Sequence, residues 1–238
     1  MSRQLAARDR LFVALDVASV DRARQLVTEL DDTVSCYKVG LELLFGGGLD
    51  FAQGLKAAGK TVFLDMKLLD IANTVEKAAA NIASLGLDYL TIHGTDTKTV
   101  AAAVRGRGAS KLKLLAVTVL TSLEQADLEE QGIKGMSPAD LVVHRARLAT
   151  AAGVNGIVAS AQEATMIRAA VGPDVLIVTP GIRLAGGVAG DQVRVMTPGK
   201  AIAAGADCLV VGRPITEATD PRAAATAFIA EIDAALKG

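Results

Sequence analysis

The sequence has no tryptophan, two histidines, two cysteines and only 3% aromatic residues among 238. With so few rings, the core has to be aliphatic and rich in alanine. Neither Cys36 nor Cys208 stands in a Cys-x-x-Cys spacing, and each lies in or beside an apolar run, so both read as buried structural thiols of a reducing compartment. No His/Cys ligand spacing and no Ser-His-Asp order stands out, which leaves neither a resident metal nor a hydrolase triad to argue for. An excess of one charge is missing too. A formal net charge of −1 offers no footprint for nucleic acid and no polybasic patch for a membrane surface. No apolar run approaches the ~18 residues of a membrane helix. The opening Met1–Arg10 is too charged for a signal peptide. These absences lead us to expect a soluble, cytoplasmic protein.

Apolar residues, at 51%, are ample for a large core. They gather into eight short runs, namely Leu11–Asp16, Ser35–Gly40, Thr61–Asp65, Tyr89–His93, Lys113–Thr118, Gly156–Ser160, Val175–Thr179 and Cys208–Gly212. Most are continuously apolar rather than alternating, as strands covered on both faces are. Helix signals fill the intervals. Ser137-Pro138, Thr197-Pro198 and Asp220-Pro221 each set a capping residue before proline at the first helical position. Asn73-x-x-Glu76 and Ser160-x-x-Glu163 resemble capping boxes, and Gly59, Gly86, Gly153 and Gly205 stand where helices stop. Eight strands alternating with helices fit a single (β/α)8 (TIM) barrel over residues 1–238. A doubly wound open sheet competes less well, since no Gly-x-Gly-x-x-Gly follows the first strand.

Charges concentrate at the strand ends. Asp65-Met66-Lys67-Leu68-Leu69-Asp70 follows the apolar Thr61–Leu64 and precedes a helix start. In an extended chain positions two apart face the same way, so Asp65 and Lys67 should point together, whereas Asp70 comes after the chain has turned. By spacing alone the stretch reads either as a solvated loop or as a site. Barrel geometry adds Asp16 and Lys38, because every strand opens its C-terminal end onto one mouth. Three acids and two bases would alternate there, crowded carboxylates raising one another's pKa and each lysine neutralising its neighbours. Such an array could hold an ammonium against a developing carbanion.

The same mouth receives His93, Thr118, Thr121, Pro180-Gly181 with Arg183, and Gly212-Arg213. The connections Val119–Met136 and Pro180–Met196 are the longest, and their place suits lids. Gly212-Arg213-Pro214 is a plain turn by itself. At the end of an eighth strand, with Gln192 near the close of the seventh loop, it favours a phosphate. His93 reads as structural and His144 as a helix-surface residue. Glu124, Asp127, Glu129 and Glu130 read as the solvated face of a short helix.

Taken in order, these motifs resemble the bacterial orotidine 5′-monophosphate decarboxylases over nearly the whole chain. The resemblance rests on Phe12–Asp16, Tyr37–Gly40, Asp65–Ile71, Val117–Ser122, Thr179–Arg183 and Val211–Ile215. It implies a cofactor-independent enzyme of pyrimidine biosynthesis that works as a homodimer with its sites at the interface. It implies Lys67 as proton donor to C6, Asp65 beside the substrate carboxylate, and Lys38 between Asp16 and Asp65. Asp70 and Thr74 would come from the neighbouring subunit. Asp16 and Lys38 would also touch the ribose and Thr121 would lie near the base, while Arg183, Gln192, Gly212 and Arg213 would gather the phosphate. Sugar-phosphate decarboxylases or aldolases of the same barrel group share Asp-x-Lys-x-x-Asp but use Mg²⁺, and Lys38 stands where they would need a carboxylate. A barrel that only binds nucleotide or scaffolds would be expected to have lost Lys38, Asp65, Lys67 or Asp70, and all four are present.

Overall fold

The computed structural model describes residues 5–186 and 195–238. Eight parallel strands, β1 (Leu11–Ala14), β2 (Cys36–Gly40), β3 (Thr61–Leu68), β4 (Tyr89–His93), β5 (Lys113–Val117), β6 (Gly156–Val158), β7 (Leu176–Thr179) and β8 (Cys208–Val211), pair in chain order. The barrel closes where Leu11 of β1 meets Leu209 of β8. Helices alternate with them: α1 (Val20–Leu30), α2 (Leu49–Ala57), α3 (Ala72–Ser84), α4 (Thr97–Arg107), α5 (Pro138–Ala151), α6 (Ala164–Val171), α7 (Pro198–Ala203) and α8 (Pro221–Lys237). The expected (β/α)8 barrel is present, with strand ends shifted by a residue or two, except that β3 runs on through Lys67 to Leu68.

Cap chemistry sets most helix starts. Ser137, Thr197 and Asp220 accept the amides of Asp140, Lys200 and Ala223, each with proline next in line. Gly59, Gly86, Gly153 and Gly205 take positive φ where helices end, as a left-handed stop requires. The box expected at Asn73 does not form. Helix α3 starts two residues earlier than that box would set it, at Ala72, and Glu76 turns outward to pair with Arg105. Ser160 caps a short turn through the amide of Gln162.

Two apolar layers result from the period of two along each strand. Outward residues such as Leu11, Val13, Tyr37, Val39 and Leu64 pack beneath the helices. Inward residues fill the barrel with Phe12, Cys36, Phe63, Tyr89, Leu115, Val178, Cys208 and Val210. Phe12 meets Phe63 and Tyr89 edge-on at centroid distances of 5.6 and 5.3 Å, which seals the lower barrel. Both cysteines are buried free thiols within this layer, as the sequence led us to expect. Among the described residues no helix is long and apolar enough to cross a membrane.

Candidate active site

Followed toward the strand C-termini, the inward face changes from apolar to charged. On β2 it steps from Cys36 to Lys38, on β3 from Phe63 to Asp65, and on β4 from Tyr89 to Thr91 and His93. The change of polarity is what converts a packed interior into a lined mouth. A cavity of about 620 Å³ opens there, and Asp16, Lys38, Asp65, Lys67, Thr121, Arg183, Gly212 and Arg213 all line it.

Four charges form a row from the segment just past β1 across β2 to β3. Lys38 Nζ lies 2.8 Å from Asp16 and 3.4 Å from Asp65, and Lys67 Nζ lies 3.0 Å from Asp65. Signs alternate along the row, so each buried charge faces its opposite. The Lys38 side chain is 7% exposed and that of Asp65 13%, while Asp16 at 48% opens to solvent. Charges so deep survive only when paired. Burial pushes the Asp65 carboxyl up. The Lys38 and Lys67 ammoniums, with hydrogen bonds from Lys67 and Thr91, outweigh it and hold the group below its ordinary value.

Asp65 and Lys67 do point together, but not along a regular strand. Leu64 is opposite Leu90 and Leu68 is opposite Ile92, so β3 spends four residues where β4 spends two. The excess is a bulge, the device by which strands re-aim side chains near sites. Lys67 sits in it at φ 49°, a conformation L-residues seldom adopt. Its amide donates to the Thr91 hydroxyl at 2.9 Å, and that hydroxyl donates to Asp65 Oδ1 at 2.8 Å.

Asp70 does not join the row, which therefore holds two acids and two bases rather than three and two. The chain turns away after Leu68, leaving Asp70 exposed and accepting the Ile71 amide at 2.6 Å. Thr74, in the first turn of α3, is exposed as well and lies outside the cavity lining. Gln192 lies outside the described residues, as do Gly187 and Gly190 of the same loop.

Arg183 and Arg213 both line the cavity. Burial lowers the Arg183 pKa and the neighbouring Arg213 charge lowers it further. Two guanidiniums lining one cavity suit an anion. Val117, Leu120, Val158, Pro180 and Val210 give the same cavity an apolar wall. His93 is half-buried at the mouth. Burial lowers its pKa, as do Lys67 and Arg145, against an opposing pull from Asp65. His144 is exposed on α5. Sequence reasoning missed Thr91, Glu42 and Glu217. Thr91 had a usable signal, being the next inward position after Tyr89. Glu42 and Glu217 also line the cavity, with no signal beyond their nearness to strands 2 and 8. Among the described residues, no group of three or more His, Cys, Asp or Glu side chains could hold a metal ion.

Three comparisons bear on this geometry. The model of the family described as "Orotidine 5'-phosphate decarboxylase / HUMPS family" matches residues 9–228. A protein of Rhodopseudomonas palustris (strain BisA53) named orotidine 5'-phosphate decarboxylase is 55% identical over 226 residues, covering 95% of each chain. One of the same name from Methylobacterium sp. (strain 4-46) is 54% identical over 235 residues, covering 98% of this chain and 99% of its own. The crystal structure of orotidine 5'-phosphate decarboxylase from Lactobacillus acidophilus superposes with a TM-score of 0.82 at 35% identity, over 94% of this chain and 98% of that one.

Proposed function

The chain belongs to the orotidine 5'-phosphate decarboxylase / HUMPS family, and we propose that it converts orotidine 5′-monophosphate to uridine 5′-monophosphate in pyrimidine biosynthesis, in the cytoplasm and without a cofactor, all of residues 1–238 forming one domain. The observation that carries this reading is the row Asp16–Lys38–Asp65–Lys67, ending on an ammonium that faces the cavity 3.0 Å from a buried carboxylate.

Loss of carbon dioxide breaks the bond from C6 to the carboxylate and leaves the electron pair on C6, in the plane of the ring. Delocalisation into the π-system helps such a pair little, so the stabilisation has to be electrostatic. The Lys67 ammonium stands ready to supply it and then to give its proton to C6, regaining one from solvent afterwards. Asp65 beside the departing carboxylate adds like-charge repulsion that falls as neutral carbon dioxide forms. Lys38 keeps Asp65 ionised and, with Asp16, meets the ribose. The apolar wall and Thr121 receive the base. Arg183, Arg213, Gly212 and Gln192 hold the phosphate, so that binding energy remote from C6 contributes to the rate.

We further propose a homodimer in which Asp70 and Thr74 complete the partner's site. Asp70 sits between Leu69 and Ile71, which are 55% and 72% exposed, and Phe45 is 85% exposed. Leu69 and Ile71 left open beside a turned-away acid favour a covered surface.

The test is the fall in orotidine monophosphate absorbance with purified protein, with and without EDTA. Turnover insensitive to EDTA is expected, with Lys67→Ala slower by several orders of magnitude while fold and association are retained. A Lys67→Ala enzyme keeping more than about a tenth of the rate, a change under ~1.4 kcal/mol, would remove Lys67 as proton donor. Dependence on a divalent metal would favour a sugar-phosphate reaction instead.

A further inference from the structure

We propose that Thr91 is a positioning residue for the proposed decarboxylation, its hydroxyl stapling the β3 bulge so that Asp65 and Lys67 are held as one unit. The inference rests on the functional reading above, and it assigns a role to a residue outside the cavity lining.

The bulge creates a specific problem. Where β3 and β4 run in register, main-chain groups satisfy one another. Between Leu64 and Leu68 the register shifts, and the Lys67 amide needs a different acceptor. The Thr91 hydroxyl, on a residue with 0% exposure, supplies it at 2.9 Å. A hydroxyl carries one proton, and this one goes to Asp65 Oδ1 at 2.8 Å. Polarity is thereby fixed along the whole path. The Lys67 amide donates to Thr91, Thr91 donates to Asp65, and Asp65 accepts the Lys67 ammonium at 3.0 Å. The path returns to the residue on which it began, so one side chain sets both the backbone of Lys67 and the rotamer of the carboxylate facing its ammonium.

Two features separate this from ordinary core satisfaction. Lys67 is held at φ 49°, a conformation that persists only where surrounding contacts over-determine it. Thr91 is also the inward neighbour of the row, one period above Tyr89, whose ring packs on Phe12. A site that needs its ammonium held within about 0.5 Å depends on such supporting groups.

Thr91→Val keeps volume and β-branching and removes only the hydroxyl, and Thr91→Ser keeps the hydroxyl and removes only the methyl. Steady-state decarboxylation of orotidine monophosphate is measured for both and for wild type, with thermal unfolding alongside. The expected result is a kcat for Thr91→Val at least ~30-fold below wild type with KM within about threefold, because the phosphate clamp across the mouth is untouched. Thr91→Ser should restore kcat to within about fivefold of wild type. If Thr91→Val does not fold, Thr91→Ala against Thr91→Ser makes the same comparison. Equal impairment of the hydroxyl-bearing and hydroxyl-lacking variants, or a hydroxyl-lacking variant with unchanged kcat, would overturn the role given to Thr91. A wild-type enzyme inactive on orotidine monophosphate would overturn the functional reading instead, so the two failures are distinct.

Discussion

Gly40 closes β2 directly beside the charge row, and its replacement by alanine is the sharpest available test of how tightly that row is built. A Cβ placed on Gly40 would lie 2.5 Å from Asp16 Oδ1 and 2.9 Å from Lys38 Nζ, short of ordinary contact at 3.4 Å by 0.9 and 0.5 Å. The backbone is not the obstacle, because φ −98° and ψ −177° suit any residue. Lys38 is buried and held by two carboxylates, whereas Asp16 is half exposed, so the carboxylate is the group that yields. Outright loss of one partner from a fully buried pair costs ~3–5 kcal/mol, but here water can replace a carboxylate that only swings outward. A stability loss of about 1–2 kcal/mol is the reasonable scale after discounting for solvent. Catalysis should suffer more, since a misplacement near 1 Å at a reacting centre costs on the order of 10²-fold. We expect kcat/KM for orotidine monophosphate to fall about 10- to 100-fold, or ~1.4–2.7 kcal/mol. Gly54→Ala is the control. Gly54 lies in α2 with no atom within 4 Å of its added methyl, so it should gain about 0.5–1 kcal/mol of stability and keep full activity. Gly40→Ala with turnover within twofold of wild type and an unchanged melting temperature would refute the steric argument and show a row tolerant of displacement.

Arg213→Ala should lower kcat/KM by about 2–4 kcal/mol on orotidine monophosphate and scarcely at all on orotidine, which has no phosphate to hold. Equal losses on both substrates would reassign Arg213 to supporting the barrel mouth. Lys67→Ala and Asp70→Ala, each nearly inactive alone, should on mixing recover toward about a quarter of wild-type activity, because random exchange in symmetric pairs makes some dimers with one intact site. No recovery despite demonstrated exchange would place Asp70 in its own subunit's chemistry. Asp65 is held below its ordinary pKa, and its unfolded value is ~3.9, so its stabilising contribution is full above that value and fades as pH falls through the folded one. The stability gap between wild type and Asp65→Asn, followed by urea unfolding, should therefore be flat from neutral pH down to about pH 5 and narrow in stronger acid, and a gap that widened there would contradict the sign.

What was legible in the sequence follows from where each determinant lies along the chain. Strands are local, so short continuous apolar runs disclose them, and a lysine or aspartate in or at the end of such a run marks a charge at the mouth of a barrel. Lys38 and Asp65 are visible on that ground once eight strands imply a barrel. Caps at Ser137, Thr197 and Asp220 are equally local, and each forms the hydrogen bond its position suggests. Asn73 misleads because the capping pattern competes with a distant partner, and Glu76 is taken by Arg105 from the next helix.

The pairing of Asp65 with Lys67 is the instructive case, because a regular strand would also have set the two side chains on one face. The molecule reaches the same pairing through a bulge and a positive φ, which depend on the register of β3 against a strand that begins more than twenty residues later. Nothing within Asp65–Asp70 encodes that register. Only once Leu68 is known to face Ile92 does the hydroxyl of Thr91 become the one group placed to serve both the Lys67 amide and the Asp65 carboxylate. The need for a glycine at position 40 is hidden for the same reason, since the atoms that exclude a methyl come from Asp16 just past β1 and from two residues back on the inward face. Charge identity at this site is a property of single positions, whereas its geometry is a property of strand pairs. A sequence therefore discloses which groups perform the chemistry sooner than it discloses which groups aim them.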